Sequence, residues 1–171
     1  MHLFRRNRNQ STAEPEGKTC LRAEACLSGR VIPMKEIPDP AFAEGILGSC
    51  IGIRPAEEER EVLVTAPADG TVTRCSETGH AVGLACGDTE ILIHAGIDTV
   101  QLSGKGFTLS VKEGETVRTG QPLLRMDTAP VRDAGYDPVV VIVITDTPGK
   151  AAFTERTEIR TGEVLFTVSL P

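Results

Sequence analysis

From Leu27 onward the chain consists of short β-favouring runs of apolar residues, cut at intervals by Gly, Pro and Asp. Runs of this kind predict strands at residues 29–33, 50–54, 61–65, 70–75, 81–85, 90–94, 107–111, 122–126, 139–145 and 164–168. Helical signals are sparse. One segment, 40–47, opens with Asp39 as an N-cap and Pro40 at the first helical position, where a missing N–H costs nothing. A second helical turn is predicted around 129–135. Many short strands separated by turn residues indicate an all-β protein, an antiparallel sandwich or barrel with one or two short helices.

The pattern echoes itself. Ser28-Gly29-Arg30-Val31 resembles Asp69-Gly70-Thr71-Val72 at an offset of 41 residues. Val117-Arg118-Thr119-Gly120, followed by Leu123, resembles Ile159-Arg160-Thr161-Gly162, followed by Leu165, at an offset of 42. Two matches at nearly one offset predict an internal duplication whose halves share a core. Residues 1–18 lack the pattern altogether. They are polar and rich in Asn, Ser, Glu and Arg, and are read as a flexible tail. Residues 19–171 are read as one domain, large enough for a sizeable core.

Charge and composition narrow the function. The net charge of −6, from 18 basic and 24 acidic residues, argues against nucleic-acid binding, which calls for a basic face. The longest apolar run, 139–144, is far shorter than the ~20 residues of a membrane helix. Met1-His2-Leu3-Phe4-Arg5-Arg6 lacks the apolar stretch of a secretory signal, so a cytoplasmic location is expected. Arg5, Arg6 and Arg8 behind Leu3 and Phe4 give the tail a means of weak, transient contact with an anionic membrane. Five cysteines without a C-x-x-C spacing read as reduced thiols.

Candidate chemistry gathers on histidine. Only three occur, and His80 and His94 flank Cys86-Gly87-Asp88 at six residues on either side. Folded as a hairpin, the two runs bring both imidazoles to neighbouring strands. A three-residue loop centred on Gly87 pairs His80 with His94. A two-residue turn at Gly87-Asp88 pairs His94 with Ala81 instead and is expected to separate the rings. Gly96, two residues beyond His94, lets the backbone turn close to the ring. A carbonyl there can take the Nδ1 proton and leave Nε2 as a free lone pair. Thr78 is near enough to orient His80, and Asp98 is either an electrostatic neighbour or a turn residue. No P-loop, H-E-x-x-H or H-x-H motif occurs, and a zinc hydrolase needs a third ligand. Neither Lys105 nor Lys112 sits in a biotin- or lipoate-type hairpin tip.

These residues carry a resemblance. Ile91-Leu92-Ile93-His94-Ala95-Gly96-Ile97-Asp98-Thr99-Val100-Gln101-Leu102, continued by Gly104-Lys105-Gly106-Phe107, resembles the signature of the glucose-class enzyme IIA of the bacterial phosphoenolpyruvate:sugar phosphotransferase system. Residues 27–29, 37–44, 66–72 and 78–81 extend it. The resemblance implies an antiparallel β-sandwich and a phosphocarrier that needs no cofactor. It implies that His94 accepts a phosphoryl group at Nε2 from HPr and passes it to the IIB domain of a sugar permease. His80 then stabilises the phosphoryl group, Thr78 orients His80, Asp39 and Asp98 flank the site, and Phe42 and Leu47 belong to an apolar docking ring. It also admits a regulatory module that docks permeases or metabolic enzymes, with zinc held between His80, His94 and a partner's carboxylate. The sugar is not readable. Similar relatives often have one more residue between the two histidines, so a bulge or altered turn is expected here.

Overall fold

The computed structural model describes residues 18–170. Its strands are β1 (Thr19–Glu24), β2 (Gly29–Pro33), β3 (Ser49–Arg54), β4 (Glu61–Thr65), β5 (Gly70–Cys75), β6 (Ala81–Cys86), β7 (Thr89–Ala95), β8 (Phe107–Leu109), β9 (Thr116–Val117), β10 (Pro122–Asp127), β11 (Val140–Asp146), β12 (Lys150–Phe153), β13 (Glu158–Ile159) and β14 (Val164–Ser169). Two short helices, α1 (Pro40–Ala43) and α2 (Thr128–Asp133), interrupt them. The tail expected at the N-terminus lies outside the described residues, apart from Lys18.

All pairings between strands are antiparallel. An eight-stranded sheet runs β13-β2-β3-β11-β7-β6-β5-β9, and two three-stranded sheets run β1-β14-β12 and β4-β10-β8. The large sheet packs its inner face on the small ones. Ile91, Ile93 and Ile142 meet Leu124, Leu165 and Phe166 in one core. Each such side chain contributes roughly 1.5–3 kcal/mol by leaving water.

The internal echo is a structural duplication. The strand order of the large sheet reads alike from both ends when β13, β2, β3 and β11 are exchanged for β9, β5, β6 and β7. Local bonds repeat with it. Ser28 Oγ accepts the Thr161 N–H at 2.9 Å, and Asp69 Oδ1 accepts the Thr119 N–H at 2.7 Å. Gly162 N–H bonds to Ala25 O, and Gly120 N–H bonds to Ala66 O.

One face of the large sheet carries a second, smaller layer. Ile32, Ile37, Phe42, Cys50, Ile97 and Val141 form a separate apolar cluster on the side away from the main core. Helix α1 belongs to this layer. Asp39 caps it by accepting the Ala41 N–H at 2.8 Å. The helix is shorter than its sequence predicts because Gly45 takes a left-handed φ of 69°, which ends the α conformation. The segment 34–48 thus lies over the middle of the sheet. This is why β11 is apolar on both faces, from Val140 to Ile144.

Candidate functional site

β7 alternates strictly. Thr89, Ile91, Ile93 and Ala95 are buried on one face, while Glu90, Leu92 and His94 point to the other. His94 therefore emerges beside the small apolar layer, opposite Val141 on β11. Its ring is half-buried, with the Phe42 ring edge-on at a centroid distance of 5.3 Å. Just past the strand the chain turns sharply at Gly96, where φ is 79° and a Cβ would collide with Thr99. That turn sets Gly96 O 2.8 Å from His94 Nδ1. A carbonyl only accepts, so Nδ1 carries the proton and Nε2 is left with its lone pair.

The hairpin takes the two-residue turn: Cys86 pairs with Thr89, and Ala81 pairs with His94. That register was expected to part the imidazoles, and it does not. The rings stand 4.8 Å apart between centroids at 80°. The reason lies before β6. His80 precedes the regular strand, in a turn through Gly79 with a φ of 76°, so its side chain escapes the alternation of β6. The His80 carbonyl still accepts the Ala95 N–H at 2.8 Å, which holds the turn against β7. Between the two histidines the β6–β7 ladder runs without a bulge from Ala81–His94 to Cys86–Thr89, so the expected bulge is absent there and the interval closes through the tight turn at Gly87-Asp88.

The His80 ring is 7% exposed. Its Nδ1 lies 2.6 Å from Thr78 Oγ1 and 3.4 Å from Ser76 Oγ. Phe107 stands edge-on on its other side. Burial, and after it the charge of His94, pushes its pKa down to about 4. Burial also lowers the pKa of His94, against the opposing pull of the Gly96 carbonyl, Asp39 and Asp98. Both rings are neutral at neutral pH. Asp98 is at once a turn residue, with a left-handed φ of 58°, and one of the carboxylates that act on His94. Asp39 combines the same action with its helix cap.

The apolar surroundings divide into two sets. Phe42 is 4% exposed and backs His94 from within, whereas Leu47 is 42% exposed. Ile46 and Val100, unmarked in the sequence reading, are more exposed still, at 69% and 52%. Also unmarked were Ser76, whose hydroxyl accepts the Ala81 N–H, and the ion pair of Arg54 with Asp137. Arg54 and Asp137 lie 83 positions apart, and no sequence signal joins them. Among the described residues, no three His, Cys, Asp or Glu side chains are grouped to hold a metal ion. No helix among them is long and apolar enough to cross a membrane.

Comparison with known proteins identifies the family. Residues 22–149 match the family described as phosphoenolpyruvate-dependent sugar phosphotransferase system, EIIA 1. The glucose-specific EIIA component of Oceanobacillus iheyensis is 39% identical over 124 residues, 72% of this chain and 73% of that protein. The beta-glucoside-specific EIIBCA component of Dickeya chrysanthemi is 45% identical over 121 residues, 70% of this chain, which spans only 18% of that longer protein. The solved structure of glucose permease IIA from Mycoplasma capricolum superposes with a TM-score of 0.79 at 29% identity, covering 86% of this chain and 94% of that one. The chain belongs to the EIIA type 1 family of the phosphoenolpyruvate-dependent sugar phosphotransferase system, and is a phosphotransferase component with that family's antiparallel β-sandwich.

Proposed function

We propose that the chain is a cytoplasmic phosphocarrier that takes a phosphoryl group from HPr on Nε2 of His94 and delivers it to the IIB domain of a sugar permease. One observation carries the reading. Two neutral imidazoles sit 4.8 Å apart, each engaged at Nδ1, so that both Nε2 atoms are left for a ligand. In the forward step the Nε2 lone pair of His94 attacks phosphorus, and the bond from phosphorus to its donor breaks. The His94 ring becomes positively charged while keeping its Nδ1 proton. Gly96 O, Asp39 and Asp98, which already favour the protonated ring, stabilise that charge. His80 donates from Nε2 to the phosphoryl oxygens while the Thr78 hydroxyl donates to its Nδ1.

Onward transfer reverses the step, with a nucleophile of the IIB domain attacking phosphorus and His94 leaving as a neutral ring. Ile46, Leu47 and Val100 are exposed apolar side chains suited to transient docking, which would exclude water from a labile N–P bond. Several relatives carry EIIA within EIIBCA polypeptides, which supports a IIB domain as the acceptor. Residues 19–171 act as one domain, because β12, β13 and β14, beyond the family match, pair with β14, β2 and β1 respectively. Tail residues available for membrane contact lie outside the described residues.

The test is labelling with phosphoenolpyruvate, enzyme I and HPr. His94→Gln is expected to take up no label, and full labelling overturns the assignment. His80→Gln is expected to keep its label while transfer to IIB falls roughly a hundredfold. A second reading draws on the same pair: two imidazoles without a third ligand suit a zinc ion completed by the carboxylate of a regulated permease or metabolic enzyme. Restored sugar uptake in cells lacking their own IIA favours the carrier. Zinc-dependent partner binding without uptake favours the module.

A further inference from the structure

A single peptide group connects His94 to an ion pair elsewhere in the sequence. The Gly96 carbonyl that accepts His94 Nδ1–H shares its peptide plane with the Ile97 N–H. That N–H donates to the Asp137 carbonyl at 2.9 Å. In a trans peptide the C=O and N–H point in opposite directions, so anchoring one aims the other. Asp137 is itself fixed. Its Oδ1 accepts Arg54 Nε at 3.0 Å and Val139 N–H at 2.9 Å, and its Oδ2 accepts the Arg54 terminal nitrogen at 2.5 Å. Val139 O in turn accepts Gly96 N–H at 2.8 Å. The fork at the end of β3 therefore holds Asp137, residues 137–139 hold both amides around Gly96, and the Gly96 carbonyl holds the imidazole.

We propose that Arg54 and Asp137 are positioning residues for the transfer, locking His94 in the Nδ1–H form with Nε2 as the nucleophile. The inference rests on His94 being the phosphoryl acceptor. Two consequences follow from the chain of bonds. The aligned donors and acceptors polarise one another, so the Gly96 oxygen is a stronger acceptor than an isolated carbonyl. This draws the Nδ1 proton outward and makes Nε2 more nucleophilic. As the ring gains positive charge on phosphorylation, the same chain spreads that charge toward the Asp137 main-chain carbonyl, which the Arg54-bound carboxylate holds in place. Arginine suits the place because its planar fork engages both carboxylate oxygens, which a lysine ammonium cannot do with the same geometry.

The experiment reads tautomer and rate separately. In unphosphorylated protein, nitrogen NMR distinguishes the protonated from the bare ring nitrogen of His94, independently of any partner. Asp137→Ala and Arg54→Ala are expected to mix the two tautomers and to slow phosphorylation by HPr roughly tenfold, as loss of an outer partner commonly does. Arg54→Lys, which preserves the charge, is expected to fall between wild type and Arg54→Ala in both readouts. An unchanged tautomer overturns the proposal, even where the rate falls with the melting temperature, because a merely structural pair would do that. An unchanged rate with a mixed tautomer overturns it equally. His94→Gln serves as the separate control: if that variant still takes up full label, the fault lies with the acceptor assignment and not with the clamp.

Discussion

β3 and β6 hold equivalent places on either side of the central β11–β7 pair: Ile51 faces Ile142, and Val82 faces Ile93. In this correspondence Gly48-Ser49-Cys50 matches Gly79-His80-Ala81, and Val143 matches His94. Both leading glycines take positive φ, at 132° and 76°. The halves part in what precedes these strands. Between β2 and β3 the chain runs through 34–48 and α1, which folds over the sheet and buries Cys50 and Val143. Between β5 and β6 only the turn 76–80 intervenes, and it delivers His80 to His94. A symmetric frame thus carries a single site because one connection is long enough to cover its half. The other connection is short enough to leave its half open.

Transplanting the pair is the most severe test of that contrast. A variant with Ser49→His and Val143→His in a His94→Gln background places two imidazoles at the equivalent positions. It is expected to accept no phosphoryl label in the enzyme I and HPr assay, because Val143 is 0% exposed beneath the covering segment. Label on the transplanted rings would mean that the covering segment is not what confines the chemistry to one half.

The two glycines sharpen the comparison further. A Cβ at Gly48 would run into the Ile144 carbonyl, a backbone atom that cannot yield, whereas a Cβ at Gly79 comes no nearer than 3.4 Å to Phe107 Cβ and 3.6 Å to Leu109 Cγ. Gly48→Ala is expected to lose more than about 3 kcal/mol in urea unfolding, and Gly79→Ala about 1–2 kcal/mol from the positive φ alone. Equal losses would show that the two turns are equally constrained. Gly79→Ala is also expected to slow transfer through displacement of His80, with Gly48→Ala acting on stability first.

Acid should separate the halves as well. Ser49 does not titrate, but His80 does, with a pKa of about 4 when folded against an ordinary 6.5. The unfolded chain binds this proton before the folded one, so the contribution of neutral His80 is complete above pH 6.5. It is lost as the pH falls toward 4. The loss amounts to up to about 3 kcal/mol. Urea midpoints measured from pH 7 to 4 should fall steeply in wild type and less steeply in His80→Gln. Parallel slopes would place the acid sensitivity elsewhere.

Much of this frame is legible in the sequence, because alternation and turn residues are local signals. Ten strands fall near their observed positions, and the offsets of 41 and 42 residues mark the duplication. β1, β12, β9 and β13 escape notice. Thr-Cys-Leu-Arg-Ala-Glu and Lys-Ala-Ala-Phe are small-sheet edge strands with little alternation, and the other two are two residues long. The histidine pair is visible as spacing, yet its register is not. What brings His80 across is the glycine turn before β6, which a strand-based count does not contain. The docking role of Phe42 comes from the family resemblance alone, whereas its burial depends on where 34–48 lies in space. The Arg54–Asp137 clamp joins distant positions through tertiary structure alone.

The mildest test concerns Asp39, which works on both the covering segment and the site. Its carboxylate caps α1 and raises the pKa of His94 against the effect of burial. Asp127 caps α2 in the same manner, accepting the Ala129 N–H at 3.0 Å. Alanine at either position should cost about 1 kcal/mol of stability, the ordinary value of an N-cap. Only Asp39→Ala should move His94. With that carboxylate removed, the protonated ring loses a stabilising neighbour, so the His94 titration followed by NMR shifts to lower pH. Asp39→Asn keeps an oxygen for the cap and drops the charge, and should separate the two effects: near-normal stability with the same displaced titration. A His94 titration that is unmoved in Asp39→Asn would confine this residue to the helix cap and leave Asp98 as the carboxylate that supports the charged ring.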